Sequence, residues 1–140
     1  MSFLDTFVSL RDDLGLAVNP RSGRGATPDS LLEAWAEFAD RCEAGFDGHL
    51  DEYYSLLGVR SVLFAMMNDP RLIGFPEVVD VAYRTATIDR RVVAYFDFDK
   101  KVQVERSGIA DGLAWYWNYF PGRVSPEFAT ELARYYGTAR

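Results

Sequence analysis

Along residues 3–14 the apolar positions Phe3, Phe7, Leu10 and Leu14 return at helical spacing, with polar residues between them. That period predicts a first helix. Ser2 is placed to cap it, Asp5 falls in its first turn near the positive end of the helix dipole, and Gly15 supplies a stop. Residues 17–26, AVNPRSGRGA, read as a loop. Thr27 followed by Pro28 is a cap with proline at the first helical position. Leu31, Trp35, Phe38 and Cys42 then make the buried stripe of a second helix that ends near Gly45. A third helix is predicted over about 49–68, from the recurrence of Tyr53, Leu56, Leu57, Leu63, Phe64 and Met67. Gly58 weakens its middle, and Asn68-Asp69-Pro70 ends it.

The period then changes from 3.6 to 2. Val79, Val81 and Tyr83 alternate with Asp80, Ala82 and Arg84; Val92, Ala94, Phe96 and Phe98 alternate with Val93, Tyr95 and Asp97; Val102 and Val104 alternate with Gln103 and Glu105. Polar turns at Asp89-Arg90 and Asp99-Lys100 join these runs, which predicts a three-stranded antiparallel meander. Its central hairpin, 90–106, would bury Val92, Ala94, Phe96, Val102 and Val104. The first run is ambiguous, because 77–86 also reads as helix. Ser107 is placed to cap a fourth helix over 108–120, carrying Ile109, Leu113, Tyr116, Trp117 and Phe120. Pro121-Gly122 breaks it, and Ser125-Pro126 opens a fifth with Phe128, Leu132 and Tyr135 on one face, ending at Gly137. The expected architecture is α+β: N-terminal helices, a three-stranded meander and two C-terminal helices around one core, with residues 1–140 forming a single domain.

The composition fits such a core, since 49% of residues are hydrophobic and 15% aromatic, too many for a disordered chain. The single cysteine, Cys42, rules out an intrachain disulfide framework and suits a reducing compartment. MSFLDTFVSLRDDLG does not read as a signal peptide, and the longest nearly uncharged apolar run, Val62 to Met67, is too short to span a bilayer. The expected location is cytoplasmic. Thirteen arginines against two lysines point to a GC-rich coding sequence and a bacterial source.

Charge changes the picture most. Net charge is −6, and residues 1–52 hold eleven acids against four arginines, whereas 53–106 hold seven acids and eight bases. An acidic excess disfavours nucleic acid, which needs Lys and Arg to displace counterions. It favours a basic protein partner. Asp29, Glu33, Glu37 and Asp40 fall on one ridge of the second helix, and Glu43, Asp47, Asp51 and Glu52 extend it.

Groups able to carry chemistry are scarce. There is one histidine and one cysteine, and no G-x-S-x-G, Cys-x-x-Cys or zinc spacing. Cys42 sits on an apolar stripe, where a thiol is packing. Asp47, His49, Asp51 and Glu52 gather carboxylates and an imidazole, but not at the spacing of a calcium loop, so His49 reads as a surface or capping side chain and no metal or other cofactor is expected. Arg21 and Arg24 in RSGRG lack the context of a phosphate loop. Asp97 and Asp99 are paired at a strand end, and Asp99 suits a hairpin turn.

In LAWYWNYF, Trp115 and Tyr119 fall on the helix face away from Leu113, Trp117 and Phe120, so they are either buried by a second element or exposed as an aromatic patch. The leading expectation is a binding protein rather than an enzyme: a small acidic inhibitor, of the immunity-protein kind, that neutralises a basic partner such as a nuclease-type toxin. Its docking residues would be Asp29, Glu33, Glu37, Asp40, Glu43, Asp47, Asp51, Glu52, Trp115 and Tyr119. The alternative is a small-molecule binder or enzyme, with a pocket between the sheet and the aromatic helices lined by Tyr95, Trp117, Arg84, Asp97 and Asp99.

Overall fold

A computed structural model describes residues 2–13, 26–97 and 119–136. Five helices account for most of them: α1 (Phe3–Asp13), α2 (Pro28–Ala44), α3 (Leu50–Asn68), α4 (Pro76–Tyr95) and α5 (Pro126–Tyr136). There is no β-sheet among the described residues, only two isolated bridges, and the fold is all-α rather than α+β.

The N-terminal elements form where local chemistry places them. Ser2 Oγ accepts the Asp5 N–H at 3.1 Å. Thr27 and Ser30 make a reciprocal capping box at the start of α2, with Pro28 in the first turn. α2 stops at Gly45, whose φ of 103° is in the region only glycine enters without strain. α3 runs through Gly58 without a break and ends where Asp69-Pro70 forbids continuation. Ser125 Oγ accepts the Phe128 N–H at 3.1 Å and starts α5.

The predicted meander is where sequence and structure part. Residues 76–95, which hold the predicted first strand and the start of the second, are the single helix α4. Val78, Val81, Thr85 and Val92 are buried in steps of three, four and seven, with Ile88 partly buried between them. Val79, Tyr83 and Val93 are exposed. The helix thus carries apolar residues on two faces, and reading Val79, Val81 and Tyr83 in order merges the two stripes into a false alternation. Its eight β-branched residues favour strand locally, but packing against α2 and α3 overrides that weak preference. The expected turn at Asp89-Arg90 is mid-helix.

Within the expected hairpin Val92 and Phe96 are buried, Phe96 at the helix C-cap and not in a strand, whereas Ala94 is exposed. Val102 and Val104 lie outside the described residues, as do Trp115, Trp117 and the expected helix through 118. Tyr119 and Phe120, its predicted last residues, are not helical.

α2 and α3 form an antiparallel pair joined by residues 45–49, and α4 returns after 69–75. The cross-links Asp29–Arg84, Trp35–Asp89 and Asp40–Arg91 ascend in the same order on both helices, so α4 lies parallel to α2. Residues 119–125 close one end of this bundle. Asp97 N–H donates to the Phe120 carbonyl (3.0 Å) and Gly122 N–H to that of Tyr95 (2.7 Å). On the other side Phe46 N–H donates to the Arg123 carbonyl (2.9 Å) and Ser125 N–H to that of Phe46 (2.7 Å). This short stretch thereby pairs its backbone with two other segments beside the buried Phe46, Phe96 and Pro121, where open amides would be expensive.

Aromatic rings fill the space inside. Phe38 stacks on Trp35 with centroids 5.0 Å apart and also meets Phe46, Tyr53 and Phe96. Phe128 brings α5 onto Phe46 and Tyr53 at 5.0 and 5.4 Å. Glu131 Oε1 accepts the Leu50 N–H at 2.8 Å, so a carboxylate from α5 caps α3, while His49 occupies the cap position with no side-chain capping bond.

Thr85 is an exception in this interior. It is 1% exposed and its hydroxyl has no hydrogen-bond partner. Thr85→Val keeps the shape and removes the orphaned group, so it should raise unfolding stability by about 1 kcal/mol in a denaturant titration. A loss of stability would mean that the hydroxyl is satisfied in solution.

Candidate acidic docking face

Helix α2 turns Leu31, Leu32, Trp35, Phe38, Ala39 and Cys42 inward, which leaves Asp29, Glu33, Asp40 and Glu43 exposed. Glu37 is half-buried. The ridge predicted from spacing therefore exists, but it is not a bare row of carboxylates. Because α4 is a helix parallel to α2, it delivers two arginines to that ridge. Arg84 Nη1 lies 3.3 Å from Asp29 and 3.7 Å from Asp80 one turn back on α4. Arg91 contacts Asp40 and, at 3.9 Å, Glu43.

A third arginine repeats the arrangement at the α2–α3 connection. Arg41 reaches Glu52 at 2.8 Å and Asp47 at 3.1 Å, with its guanidinium 4.5 Å over the Phe46 ring. Gly48 makes room for this: a methyl group there would collide with the Glu52 and Arg41 side-chain tips. The hydrogen bond from Arg41 holds the Glu52 carboxyl below the ordinary carboxylate range. A depressed folded-state pKa contributes stability above the ordinary glutamate range, and that contribution fades as pH falls through the lowered value. Solvent exposure keeps it within the roughly 0–1 kcal/mol of surface pairs.

Each cluster thus holds one arginine between two carboxylates and keeps one net negative charge. The carboxylate side chains are 50–79% exposed, whereas those of the arginines are 22–46% exposed. The face presented to solvent is therefore acidic, with guanidinium groups set behind it. Glu33 and Asp51 are exposed and have no ion-pair partner among the described residues.

Tyr119 is not on this face. It is half-buried against the core, and its carbonyl accepts the Tyr53 hydroxyl at 3.2 Å. Trp115 lies outside the described residues. Sequence reading missed Arg84, Arg91 and Asp80 as members of the face, although the Asp80/Arg84 spacing of four was a signal for a helical pair.

The described residues of the alternative pocket, Arg84, Tyr95 and Asp97, are spread along α4 and its C-terminal end. Arg84 is committed to the α2 side, and Tyr95 lies eleven residues further along α4, about 16 Å by the helical rise. Asp97 follows the helix end, where its N–H pairs with Phe120, and Asp99 and Trp117 are outside the described residues. Cys42 is fully buried, and desolvation pushes its thiol up to about 12, which suppresses the reactive thiolate. Among the described residues no three His, Cys, Asp or Glu side chains gather as a metal site needs, and no helix is long and apolar enough to cross a membrane. No family model, curated protein or solved structure matches the chain.

Proposed function

We propose that this protein docks on a basic protein partner through the acidic face of α2 and its flanks. An inhibitor that shields a basic nuclease-type toxin fits the size and charge of the chain. The observation carrying this reading is the set of three clusters, Asp29–Arg84–Asp80, Asp40–Arg91–Glu43 and Asp47–Arg41–Glu52, each with a carboxylate in excess. An arginine that bridges two carboxylates restrains both, so less side-chain freedom is lost when a partner's cations arrive. The negative field also speeds encounter with a positive surface.

The test needs the partner recovered by affinity capture from the source cells and then purified. Asp29→Asn, Glu33→Gln, Asp40→Asn and Glu43→Gln together should slow association about tenfold at low salt and flatten its salt dependence, with dissociation changed less. The amides still accept hydrogen bonds from Arg84 and Arg91, so the fold should persist, as circular dichroism would show. Association at the wild-type rate would remove the charge argument for docking.

A further inference from the structure

Helix α4 carries an apolar face that no other helix among the described residues buries. At 100° per residue, Val79, Ala82, Tyr83, Ala86 and Val93 share one side of the helix, with Arg90 among them. All are exposed, Val79 and Tyr83 at 71% and 70%. The buried stripe of Val78, Val81, Thr85 and Val92 points elsewhere. Two large, mostly exposed apolar side chains one turn apart are unusual on the outside of a helix already well anchored by another stripe.

What lies beside this face indicates its occupant. Along its flank facing α2 run the clusters around Arg84 and Arg91, each with one carboxylate in excess. The two arginines are seven residues apart, so the clusters are spaced about 10 Å along the axis, or two helical turns. Glu77 and Glu33 add exposed negative charge to the same side. An apolar strip from Val79 to Ala86, about 10 Å long and separated from Val93 by Arg90, with an acidic border at a two-turn interval matches one kind of surface: another helix with an apolar stripe and cations seven residues apart on one edge.

We propose that the basic partner binds through a cationic amphipathic helix laid along α4. Its apolar side chains pack on Val79, Tyr83 and the small surfaces of Ala82 and Ala86. Its Lys or Arg residues at i and i+7 reach the excess carboxylates of the two clusters. Tyr83 is the anchor, because it combines a large apolar ring with a polar tip at the border of the charged flank. This inference rests on the acidic docking reading and specifies which element of the partner meets it.

The experiment uses the full chain and two synthetic leucine–lysine peptides of identical composition, each roughly 18 residues and long enough to cover the strip. One confines its lysines to one helical edge; the other is scrambled. Fluorescence anisotropy should show the amphipathic peptide binding at least about tenfold more tightly than the scrambled one. Tyr83→Ser with Val79→Ser should erase that preference while leaving the helical circular dichroism intact, since both side chains are exposed. Neutralising Asp29, Asp40, Glu43 and Asp80 should weaken binding and flatten its salt dependence.

Equal affinity for both peptides, with dependence on the carboxylates retained, would overturn the inference and leave the acidic docking reading standing. Binding that needs Tyr83 and Val79 but ignores the neutralisation would overturn both, since the acidic clusters would then contribute nothing to holding a cationic helix. A dimer in light scattering that dissociates on Tyr83→Ser would also overturn the inference, because a second copy of this chain would then cover the face.

Discussion

Asp89→Ala should destabilise the protein by about 3–5 kcal/mol, the scale for removing one partner of a buried ion pair. Asp89 joins three helices. Arg60 from α3 grips it with both prongs of its guanidinium, Nε to Oδ1 and Nη2 to Oδ2, each at 2.9 Å. Trp35 of α2 donates its indole N–H to the same Oδ1, also at 2.9 Å. The side chains of Arg60 and Asp89 are only 12% and 19% exposed, so water is a poor substitute for either. Removing the carboxylate takes away the shared acceptor of three hydrogen bonds and the negative charge set against the Arg60 guanidinium. Chemical denaturation followed by tryptophan fluorescence measures the loss directly. Asp89→Asn keeps an acceptor for Trp35 but not the charge, and should fall between Asp89→Ala and wild type. A loss under about 1 kcal/mol for Asp89→Ala would mean the network is solvated and contributes as surface pairs do.

Phe38→Ala should cost a similar amount, about 3–5 kcal/mol, as is typical for a fully buried phenylalanine. The ring is 0% exposed and touches aromatic residues from four parts of the chain: Trp35 on its own helix, Phe46 in the α2–α3 connection, Tyr53 on α3 and Phe96 at the end of α4. Few of these large planar neighbours can collapse into the space, so much of the cavity should remain. Phe46 also bears the backbone bridge to Val124, so the loss should spread to the 119–125 segment. Hydrogen exchange would report it: the Phe46 and Ser125 amides should lose protection beyond the global change. If instead only amides of α2 and α3 respond, Phe38 supports the helix pair alone and the closing segment is held independently.

These two residues also mark what could be read from the chain in advance. Phe38 was legible, because it belongs to the stripe Leu31, Trp35, Phe38 and Cys42, and a stripe at one period on one face has one reading. The same holds for α1, for the Thr27-Pro28 start and Gly45 stop of α2, for the Asp69-Pro70 end of α3 and for the Ser125-Pro126 start of α5. In each, a capping or breaking residue acts over a few neighbours, so local sequence contains the whole cause.

Asp89 was read as a turn residue and Arg84 as the polar side of a strand, because α4 breaks the rule that one face is apolar. Its β-branched content and its two apolar stripes agree with either period; only the presence of α2 and α3 beside it selects the helix. That selection has electrical consequences. The sequence by itself determined where the acids are: eleven within the first 52 residues, with a ridge along α2. Only the tertiary structure decided that Arg84 and Arg91 from a segment of balanced charge, 55 and 51 residues beyond the Asp29 and Asp40 they meet, would be set against that ridge and leave one excess carboxylate per cluster. The reason is physical. Helix caps and stripes depend on neighbours a few residues away, whereas the field at a surface depends on every charge that folding brings within about 10 Å, wherever it lies in the chain.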